Sequence, residues 1–117
     1  MKLCNSITGK KGEEIAAELL KNKGYEIVER NWRNKFGEID IIAKKDEILV
    51  FVEVKTKIGE VFGLPEEMVG AGKLQKVRNM ATVYLKGKDT LCRIDVVAVV
   101  LEDDNSISRI NHYENVY

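Results

Sequence analysis

Apolar residues first recur at helical spacing, at Ile15, Ala16, Leu19 and Leu20, and Lys21, Lys23 and Gly24 mark that helix's end. The period then shortens to two. Residues 25–33, YEIVERNWR, have strand character, NKFG is a turn, and residues 38–43 form a second strand. After the turn KKDE, residues 48–55 form a third strand, richer in β-branched residues. An irregular stretch follows, with Pro65 in the first turn of a new helix and Glu66 and Glu67 favouring its positive end. Gly70 and Gly72 weaken that helix, and from Lys73 onward Leu74, Val77, Met80, Ala81 and Tyr84 give it an apolar stripe. Residues 91–101 are almost unbroken in apolarity, as in a strand covered on both faces, and residues 107–113 form a last short strand. The order is αβββαββ, an α/β architecture with a mixed sheet flanked by helices.

Charges interrupt this pattern inside the strands. Alternation puts Leu49, Phe51, Glu53 and Lys55 on one face of the third strand and Val50, Val52 and Val54 on the other. Asp40 shares its face with Glu38 and Ile42, and the turn at Lys45 and Asp46 brings Asp40 within a residue or two of Glu53's level. On the first helix Glu13 lies in line with Ala16, Ala17 and Leu20, whereas Glu14 aligns with Glu18 and Lys21 on a solvent stripe. Asp40, Glu53 and Glu13 with Lys55 sum to minus two. Buried carboxylates at that imbalance are costly unless they take up protons or a counter-ion. With oxygen ligands alone, magnesium or manganese fits the site. Spacing leaves a second reading open, in which Lys55 pairs with Asp40 or Glu53 while Glu13 stays in water and Glu38 decorates a surface.

Composition narrows the class. The chain has 117 residues, is 44% hydrophobic and 32% charged and contains one proline, which suits a single ordered domain over 1–117. The start, MKLCNSITGKKGEE, lacks a signal peptide's apolar core, and no apolar run spans a bilayer. Cys4 and Cys92 are far apart and outside any metal-binding spacing, so they read as reduced thiols of a cytoplasmic protein. The 19 basic and 19 acidic residues balance, so any contact with nucleic acid must rest on local patches. Lys73, Lys76, Arg78, Lys86 and Lys88 form one such stretch without an acid, Lys57 follows the third strand's charges, and Lys10 and Lys11 precede the helix bearing Glu13. Each is equally well read as part of a solvated surface. Trp32 and Tyr25 read as core aromatics rather than base-stacking groups, and the lone His112 as structural. GKKG lacks the glycine spacing and the trailing hydroxyl of a phosphate loop. Arg93 and Asp95 share a face, close enough to pair.

GEID followed after a short hairpin by FVEVKTK resembles the core of the PD-(D/E)XK nucleases, which have a restriction-endonuclease-like fold. Through GKKGEEIAAELLKNKGYEIVERNWR, FGLPEEMVGAGKLQKV and CRIDVVAVV, nearly the whole chain resembles the YraN-type family, relatives of archaeal Holliday junction resolvases. The resemblance implies a magnesium- or manganese-dependent nuclease acting on DNA, with branched or flapped DNA among the substrates to be expected. It implies metal-ligating roles for Asp40, Glu53 and the backbone carbonyl of Val54. Lys55 would be the lysine beside the attacking water, and Glu13 the helix glutamate of the resolvase-like members. Lys73 matches a recurrent family lysine and heads the expected nucleic-acid contacts, with Lys57, Lys76 and Arg78. Lys57 stands where the family often has arginine, and Ile94 where phenylalanine is common. A homodimer, an unidentified protein partner and a non-catalytic nucleic-acid-binding module of the same fold all remain open. An RNA-processing enzyme is a third possibility, since no RNA-reading motif is present to separate RNA from DNA.

Overall fold

The computed structural model describes residues 2–59 and 70–116. Helix α1 (Lys2–Asn22) leads into strands β1 (Glu26–Asn34), β2 (Gly37–Lys45) and β3 (Ile48–Ile58). Helix α2 (Ala71–Leu85) and strands β4 (Cys92–Leu101) and β5 (Ile107–Tyr113) complete the order αβββαββ. The expected helix start at Pro65, Glu66 and Glu67 lies outside the described residues, as does the side chain of Cys4.

The sheet runs β1-β2-β3-β4-β5. The pairs are antiparallel except β3 with β4, which α2 joins as a parallel crossover. This is the α/β mixed sheet that the pattern predicts. Each helix covers one face. Ala16, Ala17 and Leu20 of α1 pack with Ile41, Val50, Val52, Val97 and Val99. On the other side Val77, Met80 and Ala81 of α2 pack with Ile39, Ile42, Phe51 and Ile94. β4 is buried on both faces from Ile94 onward, which explains its unbroken apolarity.

Several boundaries differ from the sequence reading. Helix α1 begins far earlier than its apolar stripe, so Lys10 and Lys11 lie within the helix rather than before it. Strand β3 runs on to Ile58, which puts Lys57 on the strand in register with Val100. Leu91 falls outside β4 and is 72% exposed.

Two backbone features shape the end of the sheet where the charges lie. Gly12 brings α1 against β3 so closely that a Cβ there would stand 1.8 Å from Thr56 Oγ1. Only glycine permits that approach. Asn31, opposite Asp40 between the pairs Arg30↔Ile41 and Trp32↔Ile39, has φ 54. Beside it strict alternation fails, because Ile39 and Ile42 both join the α2 side while Ile41 joins the α1 side.

Candidate metal centre

The β2–β3 ladder is recorded from Lys45↔Ile48 to Ile41↔Val52. Just past that last pair, the Val54 N–H donates to Asp40 Oδ2 at 2.8 Å. A carboxylate thus takes the place of a backbone acceptor and is held against the neighbouring strand. Glu53, 4% exposed, lies on the neighbouring strand, near enough for its charge to act on Asp40. Burial first, then the charge of Glu53, pushes Asp40 up to about 8. Glu53 is raised as well: burial outweighs the opposing pull of Lys73 and Lys55.

Two further acids close the group. One carboxylate oxygen from each of Glu13, Glu38 and Asp40 lies within 4.8 Å of the other two. Glu13 arrives from α1, positioned by the close packing at Gly12, and its pKa is raised by burial and then by Glu38. Asn31, at the bend of β1, partly offsets that rise. Arg33 binds Glu38 at 2.5 Å from the rim. All donors in this group are oxygens, so it matches hard divalent ions such as magnesium or manganese and not softer metals.

Asp40, Glu53 and Glu13 therefore come together as expected, with Lys55 acting on Glu53 through its charge. Glu14 stays outside, paired with Arg30 at 2.7 Å. Glu13 is partly buried in this group, and Glu38, with a side chain 32% exposed, reaches it from the rim. Alternation already put Glu38 on Asp40's face, which was the available signal for it. In the second reading Lys55 would pair with Asp40 or Glu53, but the 3.3 Å ion pair to Glu53 comes from Lys73. Lys73 sits in the first turn of α2, where the helix dipole disfavours a cation, and the facing carboxylate offsets that cost. Sequence periodicity carried no sign of this contact, because it joins two elements across the core. At Val54 the engaged group is the N–H, while the carbonyl role stays an expectation.

The expected nucleic-acid contacts divide. Lys73 and Lys76 line a groove beside Glu38. Arg78 lies on another groove, with Thr82, Cys92, Arg93 and Asn115. Trp32 packs edge-on against Tyr84 at 5.2 Å and Tyr25 is buried, as core aromatics should be. Arg93 and Asp95 do pair, at 3.0 Å. Among the described residues no helix is long and apolar enough to cross a membrane, and Cys92 is a free, exposed thiol.

Comparison with known proteins now settles the family. Residues 12–99 match the family described as "Uncharacterised protein family UPF0102". The chain belongs to UPF0102. This is the YraN-type family that the motifs resemble. The chain is similar to a UPF0102 protein of Clostridium botulinum, 42% identical over all of this chain and 98% of that one. A UPF0102 protein of Syntrophomonas wolfei is also 42% identical, over 91% of this chain and 93% of its own. One from Pelotomaculum thermopropionicum is 38% identical over 95% of both. The UPF0102 match includes Glu13, Glu38, Asp40, Glu53, Lys55 and Lys73.

Proposed function

We propose that this UPF0102 member is a nuclease that hydrolyses DNA phosphodiester bonds with a divalent cation, magnesium or manganese, held among its carboxylates. The observation that carries the reading is the Asp40–Glu53 pair: two acids on neighbouring strands, one buried and one partly buried, that desolvation holds toward the protonated form. A doubly charged ion would replace the proton and offset the remaining negative charge of Glu13 and Glu38.

The roles follow from the geometry. Asp40 and Glu53 would hold the ion, with the Asp40 carboxylate fixed by one oxygen to the Val54 N–H. Glu13 and Glu38 complete the oxygen set from α1 and the start of β2. Once bound, the ion would polarise a phosphate oxygen and ease ionisation of water at the site. Lys55, whose charge acts on Glu53, would stabilise negative charge growing on phosphorus. Lys73 balances Glu53 and heads the α2 surface along which the backbone of the DNA would lie.

The test is incubation of the purified chain with single-stranded, duplex and four-way-junction DNA, with magnesium or manganese. Cleavage should need the metal and fall at least about a hundredfold in Glu53→Ala. Metal-dependent cutting that survives this substitution would contradict the assignment. A non-catalytic binding module is the second reading, favoured by the Lys73–Glu53 ion pair, which already supplies a counter-charge, and by the zero net charge. Binding without turnover on every substrate would decide for it.

A further inference from the structure

The hairpin between β1 and β2 presents an aromatic ring to solvent beside the carboxylate cluster. Phe36 is 68% exposed. The turn itself has no need of it: Asn34 Oδ1 accepts the Phe36 N–H at 2.8 Å, and Gly37 supplies the positive φ of 155. Other strongly exposed apolar residues, Leu91 and Ile107, are aliphatic and offer no π face. The tip leans on α2, since a Cβ on Gly37 would lie 3.9 Å from Met80 Sδ. Phe36 thereby lines one groove with Glu38, Lys73 and Lys76. Lys35 places its ammonium 5.2 Å from the ring centre. Two residues along β2, about 7 Å on, Glu38 enters the acid cluster.

We infer that Phe36 is a stacking platform for one unpaired base next to the phosphate at the carboxylates, with Lys35, Lys73 and Lys76 taking the flanking backbone. The inference deepens the nuclease reading and rests on it for the position of that phosphate. An aromatic ring ringed by ammonium groups matches a nucleotide, which combines a π face with an anion. An apolar protein surface would leave the Lys35 ammonium over the ring without an anion. Bases within a continuous duplex already stack on each other, so the free ring selects strands with an exposed base, either single-stranded or at a branch.

The test is anisotropy binding of a short single-stranded DNA, and of its duplex, to the full chain in chelator, where nothing is cut. The single strand carries one fluorescent aminopurine base. The wild type should prefer the single strand and quench the aminopurine. Phe36→Ala should bind the single strand about tenfold more weakly, lose the quenching and leave duplex binding unchanged, while Phe36→Trp restores both. Because Phe36 is exposed, its thermal melting should match the wild type. Equal affinity of Phe36→Ala for the single strand, or an equal loss on both DNAs, overturns the platform, as does a loss confined to self-association. Failure of the nuclease reading looks different: Phe36-dependent binding without metal-dependent cleavage refutes that reading and leaves the platform standing. No binding by the wild type refutes both.

Discussion

Two acids of one sheet, Asp95 and Asp40, meet opposite fates. Asp95, 0% exposed, faces the α1 side beside Tyr25. It accepts from Arg93 Nε at 3.0 Å and from the Asn115 N–H at 3.0 Å, and meets His112 Nε2 at 2.8 Å. Lys23 Nζ lies 2.7 Å from His112 Nδ1, so a neutral ring can accept from the lysine and donate to Asp95. Arg93 in turn donates to Tyr25 Oη at 2.6 Å. Burial alone would raise Asp95, yet the bonds from His112, Asn115 and Arg93 outweigh it and hold the carboxyl below its usual range. Asp40 has one backbone donor and three neighbouring acids, and is pushed up to about 8. The first acid is a finished piece of structure. The second has no comparable set of donors, and that contrast marks it as the candidate for the chemistry proposed above.

Breaking the balanced side should have the largest effect. Asp95→Ala leaves the Arg93 guanidinium and the His112 N–H without their acceptor in a buried place. A loss of about 3–5 kcal/mol in chemical denaturation is expected, whereas a loss under about 1 kcal/mol would show that the network is decorative. Next comes Gly12→Ala, which forces α1 away from Thr56 and carries Glu13 off the cluster. It should cost about 1–3 kcal/mol and weaken metal-induced stabilisation, read by melting with and without manganese.

Asp40→Asn should do the reverse of Asp95→Ala. Asparagine keeps an acceptor for the Val54 N–H and removes a crowded charge, so without metal the variant should gain about 1 kcal/mol at pH near 8. The pH dependence follows from the same shift. An acid whose folded pKa is raised contributes stability fully present below its ordinary value of 3.8 and lost as pH rises through about 8. Wild-type protein in chelator should therefore weaken toward alkaline pH, and Asp40→Asn should flatten that decline in denaturation curves. Asp95 works with the opposite sign: its contribution is present above the ordinary carboxylate range and lost as pH falls through its lowered value.

Most of this contrast could be read in the chain, and the rest had physical reasons to stay hidden. Alternation put Glu53 on Phe51's face, and Glu53 does reach α2. Helical periodicity separated Glu13 from Glu14, and β5 has the bounds its pattern gave. Glu38 was aligned with Asp40 but not counted, because its turn-side position looks like surface. Lys73 and Glu53, and His112 and Asp95, meet only through tertiary packing, which no period encodes. An aspartate amid the apolar run of β4 was nonetheless a signal that partners had to come from elsewhere.

The most direct measurement is calorimetric titration of the wild type and Asp40→Asn with magnesium and with manganese. Saturable binding to the wild type, with proton release near neutral pH, and its loss in the variant are the expected results. Binding of equal strength in both proteins, or none in the wild type, would mean that the four carboxylates are a structural crowd and that no cation belongs among them.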